Sequence, residues 1–179
     1  YSEQQTIACV EKSLDLLGLD FIHYVHIHDV ERSEIATVLN GALRGLQKLK
    51  EQKVVGHIGV AGGPIDLLAD YVNTGEFESV ITHNRFNLLD QPAASLIHRA
   101  NELGMAVVNA APFASGILAQ PDHPDTPYVY HPTPPDVKKR VERIAAICKD
   151  FDVDLPATAV GFSTKHPEIS VTILGAATP

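Results

Sequence analysis

The chain has 179 residues, 45% hydrophobic and 20% charged, which fits a single water-exposed globular domain with a sizeable core. Twenty-two acidic against 14 basic residues leave a net charge of −8, which argues against a nucleic-acid or anionic-membrane surface. Cys9 and Cys148 stand far apart with no CxxC pair, as expected in a reducing, cytosolic setting. No signal-peptide pattern is present, and no apolar run reaches the roughly 18 residues that cross a bilayer.

Residues 3–17 place Ile7, Val10, Leu14 and Leu17 at spacings of three and four, an amphipathic helix that Gly18 can terminate. The stretch LDFIHYVHIHDV (19–30) is β-branched or aromatic at most apolar positions and reads as a strand buried on both faces. Alternation puts His26 and His28 on one face and His23 on the other. Ser33-Glu34 opens a second helix, with Ile35, Val38, Leu39, Leu43, Leu46 and Leu49 on one stripe. VVGHIGVAGG (54–63) is a strand running into a Gly pair, and Pro64 suits the first turn of a helix over 65–72. ESVITHNRFN (78–87), MAVVNAAPF (105–113) and ISVTILGAA (169–177) are further strands. LLDQPAASLIHRANELG (88–104) reads as a helix capped by Gly104, with others at 136–150 and 156–165. Six prolines between Gln120 and Pro135 exclude helix or central strand there and predict one long ordered loop, not an interdomain linker.

Five strands alternating with helices imply βαβ units and a parallel sheet. An open doubly wound sheet or part of a (β/α)8 barrel satisfies that rhythm. Gly56, Gly59, Gly62 and Gly63 miss the GxGxxG spacing of the dinucleotide fingerprint, and no Walker loop is present. The barrel is the preferred reading.

His28 falls at the C-terminal end of its strand, where α/β folds place their chemistry. As a catalytic group it would orient a substrate oxygen; a structural strand-end histidine is the plainer alternative. His26, His28 and Asp29 also match the HxH pair of metal-dependent barrel hydrolases. His23 reads as a supporting or helix-facing residue. The run Ala61-Gly62-Gly63 is either room for a ligand or a tight turn needing positive φ. His83-Asn84 reads equally well as ligand contact or strand-end capping.

The blocks LDFIHYVHIHDV, LRGLQKLKEQKVVGHIGVAG, VVNAAPFASGILA and VTILGAA resemble the aldo-keto reductase superfamily in order and spacing along the whole chain. The IHD ending, the Gly pair after IGVA, THNRFNLLD, APFASGIL and HPTPPDVKK are similar to its sugar dehydrogenases of the L-galactose and D-threo-aldose (L-fucose) dehydrogenase type. The resemblance implies a (β/α)8 TIM-type barrel, here about its fourth to eighth strands, so that residues 1–179 form one barrel domain incomplete at both ends. It implies NADP or NAD held in extended form, and a cytoplasmic enzyme moving hydride to or from a sugar or aldehyde carbon.

By the same resemblance, His28 is the catalytic histidine. Ala61 and Gly62 stand where the family has a Ser-Asn pair on the nicotinamide amide, His83 where it has Gln, and Ala110 where many members stack a tyrosine. Pro112, Phe113, Ser115, Gly116 and Leu118 resemble the loop beneath the pyrophosphate, and Gly175, Ala176, Ala177 and Thr178 the strand end beside the adenosine phosphates. The catalytic Asp, Tyr and Lys are expected before Tyr1, which itself matches a loop, and the 179 residues alone are expected to be inactive. Three functions stand at this stage: that oxidoreductase, a metal-dependent hydrolase using His26 and His28, and a non-catalytic barrel subunit.

Overall fold

The computed structural model describes residues 1–122, 126–129 and 131–175. Its elements follow the predicted alternation: α1 (Glu3–Leu17), β1 (Ile22–Ile27), α2 (Ile35–Val38), α3 (Arg44–Glu51), β2 (Val55–Gly62), α4 (Ile65–Asn73), β3 (Ser79–His83), α5 (Ala94–Glu102), β4 (Ala106–Ala110), α6 (Pro135–Asp150), α7 (Leu155–Thr164) and β5 (Val171–Ile173). The strands make one sheet in the order β1-β2-β3-β4-β5. β1 pairs parallel with β2, from Ile22 opposite Val55 to Ile27 opposite Val60, and β4 pairs parallel with β5. The chain resolves into two compact units, Tyr1–Ile81 with Arg99–Ala106, and Thr82–His98 with Val107–Pro179.

In the first unit α1 begins at Ser2, whose hydroxyl accepts from the Gln5 N–H, and ends at Gly18 in the left-handed conformation with φ 65°, as the sequence predicts. Val30, Val38, Leu46, Leu49, Val55, Val60, Leu68 and Val72 are fully buried, and each such side chain contributes about 1.5–3 kcal/mol. The second helix has a π-helical segment, Leu39–Leu43, between α2 and α3. A Cβ on Gly41 within it would lie 2.1 Å from the Tyr1 carbonyl oxygen. The helix backbone thus meets the start of the chain directly.

The strand carrying the histidines is not buried on both faces. Its residues are largely half-exposed, Tyr24 at 48%, because β1 is first in the sheet order and has β2 as its strand neighbour. The expected helix in 88–104 begins only at Ala94. Asn87 folds the preceding residues into a turn: its N–H donates to the Asp90 carbonyl, and its side-chain oxygen accepts from Leu89 and Asp90. Pro92 then discourages earlier helix.

On the His26 face of the first unit, His26 Nε2 and Ser79 Oγ lie 2.9 Å apart. The bond passes over Gly59, where a Cβ would sit 2.3 Å from both partners. Tyr24 stacks on His57 with ring centroids 4.7 Å apart. His57 Nδ1 meets Glu78 Oε1 at 2.9 Å, while Glu78 Oε2 accepts from Lys50 Nζ at 2.5 Å and from the Ile58 N–H at 3.1 Å.

The second unit has its own core, in which Leu89, Ala114, Ile117, Leu118, Val137, Val141, Cys148, Leu155 and Ala159 pack together. Asn109 bridges the Phe86 carbonyl and Ser163 Oγ, and that hydroxyl meets Thr172. The described part of the proline-rich loop is ordered: Tyr128 and His131 exchange both backbone bonds, and Thr133 Oγ1 donates to the Thr126 carbonyl.

Two predictions follow from the first unit. Gly59→Ala forces a methyl group into the His26–Ser79 bond, so it should cost at least about 2 kcal/mol, overpacking added to a lost hydrogen bond, read as a lower denaturation midpoint. The second concerns acid. Burial pushes the His26 imidazole below its usual value, so the unfolded chain takes up that proton first and stability falls as pH drops below about 6.5. Burial alone would raise Glu78, but the bonds from Lys50, His57 and Ile58, with the Lys50 charge, bring its carboxyl down to about 2. Its contribution is present above about pH 4.5 and is lost as pH falls toward 2. Urea midpoints between pH 7 and pH 3 should fall in both windows, and Glu78→Gln should flatten the lower one.

Candidate active site

The parallel register sends β1 and β2 out at the same end, and the first unit's candidates gather there. His28 lies one residue beyond β1, its side chain 70% exposed, with Nε2 3.4 Å from Asp29 Oδ1. Asp29 takes the left-handed conformation, φ 56° and ψ 40°, which Asp tolerates better than most residues, and its other carboxylate oxygen pairs with Arg32 at 2.9 Å. The short 3-10 turn Val30–Arg32 follows, with Val30 fully buried as its anchor. Tyr1 reaches this turn through its phenol, which donates to the His28 carbonyl at 2.9 Å and to the Asp29 carbonyl at 2.5 Å.

Ala61 is buried on the same face of β2 as Gly59. Gly62 points the opposite way. A Cβ there would meet Glu31 Oε2 at 2.9 Å, Val30 Cγ2 at 3.2 Å and Leu68 Cδ2 at 3.5 Å. Its smallness therefore serves the chain's own packing. Positive φ does not explain the Gly pair either, since neither Gly62 nor Gly63 adopts it. The Gly63 N–H instead donates to Glu31 Oε1 at 3.3 Å.

In the second unit, His83 ends β3 and Asn84 follows with φ 56°. Asn84 is buried; its N–H donates to the Ala110 carbonyl at 3.3 Å, and its Oδ1 accepts from Ser115 Oγ at 3.4 Å. Ser115 Oγ also accepts the Val129 N–H at 3.0 Å. Ala110, Ser115 and the residue after His83 are thus brought together, with the proline-rich loop tied to them.

The turn after β4 holds left-handed backbone at Ala111, Ala114, Ser115 and Gly116. For alanine or serine this costs about 1–2 kcal/mol each, and clustered strain of this kind marks functional loops. Pro112 and Leu118 are buried and Phe113 packs on the unit's core. A Cβ on Gly116 would meet only Thr126 Cγ2, at 3.7 Å, and one on Gly175 would meet nothing within 4 Å. The N–H groups of Ala114, Gly116, Ile117 and Leu118 are bonded within the turn, Gly116 is half-buried and Gly175 is exposed. Ala176 and Ala177 lie outside the described residues.

A metal centre on the HxH pair finds no support in the geometry. His26 is engaged with Ser79, and among the described residues no group of three or more His, Cys, Asp or Glu side chains is placed to hold an ion. No helix among the described residues is long and apolar enough to cross a membrane.

Two residues went unread in the sequence. Tyr1 matches a loop position by resemblance, and no sequence pattern marks Glu31. The Tyr-Ser pair opening a helix is the only signal that marked Tyr1, and it says nothing of what the phenol reaches.

Parallel strands alternating with helices, with candidate residues at strand C-terminal ends in each unit, define a partial (β/α)8 barrel. The aldo/keto reductase family model matches residues 1–179, and the chain belongs to that family. It is similar to the D-threo-aldose 1-dehydrogenase of a Pseudomonas species, 33% identical over all of this chain and 55% of that protein. It is also similar to the L-galactose dehydrogenase of Arabidopsis thaliana, 26% identical over 98% of this chain and 54% of the relative. Among solved structures, an aldo-keto reductase from Bacillus halodurans in its holo form superposes with a TM-score of 0.79 at 20% identity, over 99% of this chain and 58% of that one. The chain spans about half the length of the curated relatives it matches.

The glycines separate packing from ligand space. Gly62→Leu should lower stability by about 1–3 kcal/mol through overpacking, while Gly175→Leu should change it by no more than about 0.5 kcal/mol. Thermal unfolding of the two variants checks this.

Proposed function

We propose that this chain is part of a cytoplasmic NAD(P)-dependent oxidoreductase that moves hydride between nicotinamide and the carbon of an aldose or aldehyde, oxidising an aldose to its lactone or reducing a carbonyl. The observation that carries the reading is His28: an exposed imidazole just past the end of a parallel strand, in a chain that shares a third of its residues with an aldose dehydrogenase. Free Cys9 and Cys148 agree with a reducing compartment. The 179 residues are read as one barrel domain extending beyond this chain, with the remaining proton-transfer groups outside it.

In aldose oxidation the anomeric C–H leaves as hydride and the hydroxyl proton leaves to a base, so the oxygen carries developing charge. The bound nicotinamide supplies the two-electron acceptor. The chain's own residues position and polarise. The His28 imidazole donates a hydrogen bond to the reacting oxygen and orients it, with the Asp29 carboxylate beside its ring. Ala61 and Gly62 in the first unit, and His83 and Ala110 in the second, are the residues that would hold the nicotinamide. The turn from Pro112 through Phe113, Ser115 and Gly116 to Leu118 would hold the pyrophosphate, and Gly175, Ala176 and Ala177 would hold the adenosine phosphates. NADP and NAD both suit this set. The substrate is a small sugar or aldehyde, with no nucleic acid or membrane surface involved.

The test uses the full-length protein, a panel of aldoses and each cofactor, with reduced nicotinamide read by absorbance. His28→Ala should cut turnover by about 10²–10⁴-fold with cofactor affinity near normal, and Ala110→Trp should weaken cofactor binding in a fluorescence titration. Normal turnover in His28→Ala, or normal cofactor affinity in a folded Ala110→Trp, would contradict the assignment.

A further inference from the structure

His28 sits on backbone that has no regular pairing, since β1 ends at Ile27 and Asp29 is in the left-handed region. Arg32 bonds Asp29 from within the turn, through its N–H to the carbonyl and its guanidinium to the carboxylate, and Tyr1 adds a hold from outside it. The Tyr1 phenol shares its O–H between the carbonyls of His28 and Asp29, at 2.9 and 2.5 Å. Tyr1 is itself fixed through its backbone. The Gly41 Cα faces the Tyr1 carbonyl so closely that a Cβ would stand 2.1 Å from the oxygen, and Ser2 caps α1 directly behind it.

We propose that Tyr1 is a positioning residue for His28: seated against Gly41, its phenol clamps the two carbonyls that flank the left-handed turn and so fixes the direction of the imidazole. This rests on the reading of His28 as the group that faces the reacting oxygen.

The charged groups around the phenol support the donor role. Burial, then Asp29, raise the phenol above its ordinary value, with Glu31 adding to this and Arg32 opposing it, so the hydroxyl keeps its proton at physiological pH. A carbonyl pair cannot be held by a phenylalanine ring of the same shape. Removing one oxygen atom therefore frees the turn while leaving the packing of the ring in place. Misplacing a catalytic group by about 1 Å costs up to about 10²-fold in rate.

The experiment is a double-mutant cycle in the full-length protein with Tyr1→Phe, His28→Ala and the pair, measuring kcat, KM, cofactor Kd and Tm. Tyr1→Phe should lower kcat by about 10- to 10²-fold with cofactor Kd unchanged, and should add nothing in the His28→Ala background, because its effect passes through the imidazole. Gly41→Ala, which keeps the phenol but displaces its seat, should reproduce the kcat loss and supplies the reading if Tyr1→Phe does not fold. Unchanged kcat in Tyr1→Phe, or losses that multiply in the pair, would overturn the clamp while leaving the His28 role standing. Normal turnover in His28→Ala would remove the role itself, and the clamp with it.

Discussion

The bond between His26 and Ser79 across Gly59 is the constraint on which the first unit's site depends. A parallel pair that slips by one residue turns every side chain to the opposite face. Here a slip would bring Ile58 or Val60 beneath the imidazole in place of Gly59, and neither leaves room for the bond. The register is therefore pinned at Gly59. With it fixed, Ile27 ends β1 opposite Val60, β2 runs two residues further to Gly62, Ala61 shares the face of Gly59, and the chain leaves Ile27 at the point where His28 can project.

The second unit reaches order by different means. Its strands are short, five residues in β4 and three in β5, and polar contacts do much of the holding. Asn109, Ser163 and Thr172 link β4, α7 and β5. Arg140 on α6 donates to the Leu89 carbonyl. The turn after β4 accepts left-handed backbone at alanine and serine, a cost that the buried Ala114, Ile117 and Leu118 beneath it offset. Hydrophobic anchors under a strained turn hold its backbone in place without bulky side chains above it.

Much of this was legible in the sequence, and the part that was not has physical reasons. Period-3.6 and apolar runs located the helices and strands because burial imposes those spacings. β1 is half-exposed in this chain, and a β-branched, aromatic run looks the same whether one or both of its edges are paired. The late start of α5 was missed because the turn at Asn87 is set by one side chain bonding its own backbone. Gly62 illustrates a third reason. Smallness in a sequence does not say whether the space it leaves belongs to a ligand or to the protein, and here Glu31, Val30 and Leu68 occupy it. The Tyr1 contact joins residues 28 apart through a hydroxyl and two carbonyls, and nothing in local pattern encodes such a pairing.

The central claim is that the imidazole just past β1 faces the reacting oxygen. A crystal structure of the full-length protein with oxidised NAD(P) and an aldose tests it most directly. The account predicts a His28 ring nitrogen within about 2.6–3.2 Å of the anomeric oxygen, with the Tyr1 hydroxyl still on the His28 and Asp29 carbonyls. An anomeric oxygen held by other groups, with the His28 ring turned to solvent, would contradict it.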